Sequence, residues 1–376
     1  MNVCIDGLDI SEVTGSSRYY YTYELLQHLF EKFPQPFYHI MCDKRIDVTT
    51  WNKNKNLRYI DLNVNRKKND YGLLEQYILE NKIAVYHSPN NGFSLPFNKV
   101  CNTVITVHDM LPILNAAYAD EKYLKKFLTV FPNAVEKADK IIAVSEFIKK
   151  QLLQYFEISQ EKIEVIYPGY SYIFEQKEEY GCRFFLKEKY KLGDEFIFFA
   201  GSIHAKNNLH QLLRLFKIIK NFKYAHDLKL VIAGNCTGKR AEYYSKIKML
   251  AEHYNIQDSV IFVGQVKYDD MPYFYSAAQC VISLSEYDGF PQCAVEAMAC
   301  GAPVVCKNTP FFQEILGKDI LTINPEEEMY SKDAILEVIY NKKVREKAIS
   351  YGLNQSEQYR WDKSIEKIIG VYENFF

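Results

Sequence analysis

Short apolar runs bounded by turn residues alternate with stretches of helical period along almost the whole chain, and this alternation narrows the fold more than any other feature. Apolar runs of about four to eight residues are consistent with strands buried on both faces, and strands that alternate with helical segments argue for a parallel sheet covered by helices. In the first half such runs fall at 2–6, 37–42, 57–62, 84–88, 103–108, 140–144 and 162–167, with helices over 18–33 and 123–138. The pattern begins again at 195–202 and continues through 228–234, 259–264, 280–284, 303–307 and 320–323. Between the halves, Tyr167-Pro-Gly-Tyr170 is a turn signal followed by an irregular stretch, and the hinge is placed at 168–175. The expected class is α/β, with two Rossmann-like, doubly wound domains, 1–170 and 171–357. Residues 358–376 form one more helix with apolar positions at 361, 365, 368, 369 and 372.

Two such domains facing each other bring the carboxyl ends of both sheets to one cleft, where open α/β sheets bind ligands, so candidate residues are those that follow strands. The segment from Ser285 to Val305 reads as strand end, turn, helix and next strand, the helix opening near Pro291 and stopping at Gly301. Its free amides and positive dipole end lie beside Asp288-Gly289-Phe290, a favourable place for a phosphate. Asp288 and Glu296 are then positioned to hold sugar hydroxyls at the two ends of a nucleotide sugar; the alternative is an ordinary βαβ unit with solvated acids. Phe199-Ala-Gly-Ser-Ile-His-Ala-Lys-Asn-Asn-Leu209 is a second strand, glycine turn and helix start. Ser202, Lys206 and Asn207 sit there as diphosphate candidates, against the alternative of a solvated lysine. Near the N-terminus, Gly15 and Ser16 lie in a phosphate-compatible connection, with Ser16 or Ser17 also able to cap the following helix. His108-Asp109 follows the buried run 103–107, either as a site group or as a local structural pair.

The segment of Asp288, seven residues, Glu296 and then Ala-Met-Ala-Cys-Gly301 resembles the signature of the retaining glycosyltransferases of family 4, which carries Glu where this chain has Asp288. Glu286 is a possible substitute for that first acid. The resemblance extends in order from the Gly15 loop through His108-Asp-Met-Leu-Pro112, Gly201 and Val263-Gly-Gln-Val266 to Trp361. It implies the two-domain GT-B fold, with the last helix crossing back to the acceptor-side first domain and the second domain holding the nucleotide sugar. It further implies that His108 contacts the donor sugar, that Val266 lines the base, and that Asp288 and Glu296 position the donor without a covalent role. Reaction with retained configuration would have the donor's own phosphate oxygen take the acceptor proton. Two departures bear on phosphate binding: Lys206 stands at the family's Arg, and Asn207 at its phosphate-binding Lys. Ser17 replaces a glycine of the N-terminal loop. The His-Asp-x-x-Pro and Gly-Ser-Ile-His segments resemble mannosyltransferases in particular, which makes GDP-mannose the first candidate donor. A catalytically weak partner or glycan-binding protein on the same fold, and a sugar-nucleotide hydrolase or epimerase, are the other readings.

Composition removes several classes. Forty-six Lys and Arg against 47 acids leave a net charge of −1, which favours no nucleic acid partner. Nine cysteines with no Cys-x-x-Cys fit reduced core residues, and there is no Asp-x-Asp, so neither a metal nor another cofactor is expected beyond the nucleotide sugar as co-substrate. No run is long and apolar enough to span a bilayer, and the Met-Asn-Val-Cys start carries no signal peptide pattern, so the expected location is the cytoplasm. Basic clusters with apolar neighbours at Arg66–Lys68, Lys122–Phe127 and Phe147–Lys150 are either solvated helix faces or a peripheral contact with anionic membrane at its inner face, bringing a glycan or lipid-linked acceptor to the first domain.

Overall fold

Each apolar run read from the sequence becomes a strand. The computed structural model describes residues 1–11, 17–42, 55–61, 72–119, 121–193 and 195–376. The chain divides into one unit of Met1–Gly169 with Tyr359–Phe376 and another of Tyr170–Gln358.

In the first unit, strands β1 (Asn2–Asp6), β2 (Phe37–Met41), β3 (Leu57–Ile60), β4 (Val85–Ser88), β5 (Asn102–Val107), β6 (Lys140–Ala143) and β7 (Ile163–Val165) form one sheet in the order β3-β2-β1-β4-β5-β6-β7. Every pairing is parallel. Such strands need helical crossovers, which α1 (Ser17–Lys32), α2 (Gly72–Glu80), α3 (Leu111–Leu114), α4 (Glu121–Lys137) and α5 (Glu146–Tyr155) supply. β4 and the residues of β5 from Thr103 onward are buried throughout, as expected of strands covered on both faces. Winding reverses between β1 and β4, the switch point of this sheet.

The second unit repeats the plan with β8 (Phe196–Ala200), β9 (Lys229–Ala233), β10 (Val260–Gly264), β11 (Cys280–Ser283), β12 (Val304–Lys307) and β13 (Leu321–Ile323) in the order β10-β9-β8-β11-β12-β13. Again every pairing is parallel. Helices α6 (Glu179–Tyr190), α7 (Leu209–Lys220), α8 (Ala241–His253), α9 (Met271–Ala277), α10 (Gln292–Ala299), α11 (Pro310–Leu316), α12 (Glu328–Tyr340) and α13 (Lys342–Ser356) accompany it. Its core packs Leu209, Leu212, Leu213, Phe216 and Ile219 of α7 against Ile197, Leu230 and Ile232 of the sheet. Here the winding reverses between β8 and β11.

The chain then returns to the first unit as α14 (Trp361–Glu373), whose Trp361, Ile365, Ile368 and Tyr372 bury against Tyr21, Leu25 and Leu29 of α1. Two contacts fix where it enters. Ser364 Oγ donates to the Tyr167 carbonyl at 2.7 Å, and a Cβ on Gly169 would lie 2.4 Å from the Trp361 nitrogen. Gly169→Ala therefore forces backbone against backbone, and we expect it to destabilise the protein by about 1–3 kcal/mol in thermal unfolding. Gly193→Ala, whose Cβ would meet nothing closer than 4.0 Å, is the control expected to leave the midpoint unchanged.

Candidate functional site

At the switch point of the second sheet, the loops after β8 and β11 are hydrogen-bonded into one structure. The Glu286 amide donates to the Lys206 carbonyl at 2.8 Å. Lys206 Nζ donates to the Tyr287 carbonyl at 3.1 Å, which uses one of the ammonium's three donors. Asn208, left-handed at φ 52, donates through Nδ2 to the Leu284 carbonyl at 3.0 Å and also to Glu286 Oε1. Asn207 is buried and donates to the Ser202 carbonyl at 2.7 Å, so it braces the turn from inside. The loop after β8 thus has its cation at Lys206, with Asn207 serving as structure. The loop after β9 approaches closely as well, since a Cβ on Gly234 would fall 2.1 Å from the Gly201 carbonyl oxygen.

Helix α10 starts at this point. Pro291 is its cap residue, one position earlier than the sequence pattern places it, and makes no side-chain capping bond. At the other end Gly301 takes φ 72, and the Ala302 amide donates to the Ala297 carbonyl at 2.9 Å, the glycine-terminated stop expected from sequence. Gly289, Phe290 and Pro291 are buried beneath the turn, and Asp288 is half-buried. Glu296 is only 5% exposed, and its carboxylate accepts from Tyr275 Oη at 3.3 Å and Gln292 Nε2 at 3.2 Å. Burial pushes the Tyr275 hydroxyl well above its ordinary value, and burial followed by the Glu296 charge pushes the Cys293 thiol up to about 12. Both groups stay protonated beside the acid. Glu286, by contrast, is engaged elsewhere. Burial raises its carboxyl, but hydrogen bonds from Lys307 (2.6 Å) and Asn208 outweigh that and hold it below the usual carboxylate value. Val266 lies half-buried just past β10, following Gly264 at φ 69.

In the first unit, His108 follows β5. Its amide donates to Asn91 Oδ1 at 2.7 Å, and its Nε2–H donates to the Pro89 carbonyl at 2.7 Å. That contact fixes the tautomer and leaves the lone pair on Nδ1. Burial, aided by the Arg18 charge, holds the ring down to about 4, so it is neutral at physiological pH. Asp109 is half-buried beside it. His87, fully buried on β4, bonds Tyr372 Oη at 2.6 Å through Nδ1 and Thr106 Oγ1 at 2.9 Å through Nε2, and burial lowers it to about 3. Both nitrogens are used within the fold. Asp6 ends β1 and is not singled out by the sequence, whereas Asn90 lies just past β4 in the run Tyr86–Asn90, a candidate border of the acceptor. Asn90 Nδ2 donates to Asp6 Oδ2 at 2.7 Å inside the protein. Only the strand order puts them together, and a single sequence gives no sign of it. Gly15 and Ser16 fall outside the described residues. So does the Arg66–Lys68 cluster, whereas Lys122, Lys125 and Leu128 are exposed on α4. Among the described residues no group of His, Cys, Asp and Glu side chains is arranged to hold a metal, and no helix is long and apolar enough to cross a membrane.

Comparison with known proteins agrees with this architecture. The model for group 1 glycosyl transferases matches residues 183–355, and that for glycosyltransferase family 4 matches 55–171. The O-antigen chain mannosyltransferase B of Escherichia coli is 25% identical over 78% of this chain and 74% of its own length. The serotype-specific mannosyltransferase WbdA of Escherichia coli is also 25% identical, over 73% of this chain, but the match spans about a third of that longer protein (34%). The O-antigen chain mannosyltransferase RfbU of Salmonella typhimurium is 26% identical over 62% of this chain and 60% of its length. Among solved structures, the sucrose-phosphate synthase of Thermosynechococcus elongatus superposes with a TM-score of 0.79 at 18% identity, covering 100% of this chain and 99% of its own. The Anabaena protein HepE in complex with UDP-glucose does so with a TM-score of 0.77 at 13% identity, covering 100% of each chain. Both carry the same fold.

Two of the histidines with lowered values, His108 and His87, make a pH dependence that can be checked. Unfolded, each binds its proton near pH 6.5; folded, they wait until about 4 and 3. Between those limits the unfolded state holds more protons, so stability falls as the pH falls from about 6.5, by at most about 1.4 kcal/mol per pH unit for each histidine. Urea unfolding at pH 7 and pH 5 should show this loss, and His87→Gln should reduce the slope.

Proposed function

Because the chain belongs to the glycosyltransferases, on the GT-B fold of two Rossmann-like domains, we propose that it moves a hexose from a nucleoside-diphosphate sugar to a hydroxyl of a glycan or lipid-linked acceptor. The transfer retains the anomeric configuration and serves cell-surface polysaccharide synthesis. The observation that carries this reading is the union of the Lys206 loop with the start of α10 at the switch point of the second sheet. A diphosphate there meets an ammonium with donors to spare, the amides of a glycine turn and the positive end of a helix, so the charge leaving with the nucleotide is stabilised without a metal ion.

Asp288 and Glu296 orient the donor's hydroxyls. Glu296 suits that role because its carboxylate is already held by two neutral donors and reorganises little on binding. His108, neutral and with Nδ1 as acceptor, receives a hydroxyl of the transferred sugar. Ser202 and Val266 border the nucleotide. In the transfer step the anomeric carbon loses its bond to the donor phosphate oxygen and gains one to the acceptor oxygen on the same face. The acceptor's proton passes to the departing phosphate. GDP-mannose is the proposed donor, supported by three relatives that are mannosyltransferases. The reaction is placed in the cytoplasm, with Lys122, Lys125 and Leu128 of α4 as the contact with an anionic membrane.

The test is transfer of labelled mannose from GDP-mannose to a lipid extract of the cell envelope, with product configuration read by NMR. Glu296→Ala and Lys206→Ala should each lower transfer at least tenfold with the fold kept. Label released to water without acceptor would identify a hydrolase, and no turnover with any nucleotide sugar would favour the non-catalytic partner. Liposomes of phosphatidylglycerol at low salt should retain the protein, and a Lys122→Glu, Lys125→Glu variant should stay in solution; equal behaviour removes the membrane contact.

A further inference from the structure

A chain of buried hydrogen bonds runs through the first unit from α14 to the neighbourhood of His108. Tyr372 Oη lies 2.6 Å from His87 Nδ1, His87 Nε2 lies 2.9 Å from Thr106 Oγ1, and Thr106 Oγ1 lies 3.3 Å from Tyr21 Oη. The Tyr21 ring meets the His108 ring edge-on, with centroids 4.7 Å apart. His87 is neutral and Tyr21 is held protonated by burial, so each of the four side chains carries one transferable proton.

Four protons serve three bonds, so one proton has no acceptor within the chain. Where it sits is decided by burial, because an orphaned donor costs most where water is excluded. Tyr372, His87 and Thr106 are each 0% exposed, whereas Tyr21 is 6% exposed. The cheapest arrangement therefore has Tyr372 donating to His87, His87 donating to Thr106 and Thr106 donating to Tyr21. The proton left over is that of Tyr21, for which no acceptor other than Thr106 lies within reach among the described residues.

We propose that Tyr21 binds substrate as a hydrogen-bond donor, giving its hydroxyl proton to an oxygen of the sugar that His108 holds, with Thr106 as the residue that positions it. This rests on the glycosyltransferase reading above. It pairs a donor, Tyr21 Oη, with an acceptor, His108 Nδ1, on rings whose centroids lie 4.7 Å apart, and a sugar hydroxyl both accepts and donates. Because Thr106 occupies the Tyr21 oxygen as a donor, Tyr21 is kept from turning its own proton inward.

The probes are GDP-mannose and GDP, titrated calorimetrically against the full chain. The quantity read is the ratio of the two dissociation constants, the part of the affinity that comes from the sugar. Tyr21→Phe should reduce that ratio about fivefold while leaving GDP binding unchanged. Thr106→Val should lose a similar share, and the double variant should lose no more than Tyr21→Phe alone. Unchanged GDP affinity shows that each variant is folded. A Tyr21→Phe ratio equal to that of the unmodified chain overturns the proposal, as do additive losses in the double variant. If UDP-glucose binds in place of GDP-mannose, the ratio is taken against UDP. An unmodified chain that binds none of these nucleotides refutes the glycosyltransferase reading itself, and this inference with it.

Discussion

The carbonyl of Tyr287 accepts the ammonium of Lys206, and the carbonyl of Lys206 accepts the amide of Glu286. These two contacts tie together the loops that leave the second sheet where its winding reverses, and the arrangement of the candidate site follows from them. They hold the cation beside the start of α10 and allow Asn207 and Asn208 to turn inward as braces. Ligands of open α/β sheets gather at such switch points because loops from adjacent strands diverge there and leave backbone amides available. In this protein the divergence is bridged by hydrogen bonds from Lys206 to the Tyr287 carbonyl and from Asn208 to the Leu284 carbonyl.

The same economy governs the acids. Glu286 neutralises Lys307 and fixes Asn208, while Glu296 is immobilised by Tyr275 and Gln292. Asp288 is the half-buried carboxylate of the turn. In the first unit polar groups are arranged likewise around the sheet's carboxyl end, with His108 fixed in one tautomer by Pro89. The returning helix α14 contributes to this unit at both ends, through Trp361 against α1 and Tyr372 on His87. Its sequence position, nearly two hundred residues from the Tyr167 carbonyl it bonds, says nothing of that role.

Much of this was legible in the residues. Parallel strands buried on both faces must be apolar runs, so β1 through β13 announce themselves, and Gly301 marks the end of α10 because only a residue tolerant of positive φ can stop a helix that way. Pairwise side-chain commitments were not legible. That Glu286 pairs with Lys307 of the next strand and with Asn208 is one such commitment, which spacing along the chain does not show. Asn207 stands where a phosphate-binding lysine occurs in similar sequences, yet its amide suits the inside of the turn, which spacing cannot reveal. Asp6, Asn90 and the Tyr372–His87–Thr106–Tyr21 chain depend on strand order and on the return of α14.

The central claim is that the joined loops of the second unit hold a nucleoside diphosphate through Lys206. Calorimetric titration of GDP, UDP, ADP and dTDP into the unmodified chain and into Lys206→Ala tests it most directly. The expected result is binding of one nucleotide in preference to the others and a loss of at least about tenfold, or about 1.4 kcal/mol, in the variant. Equal affinity in both proteins, or no binding of any nucleotide, would contradict it.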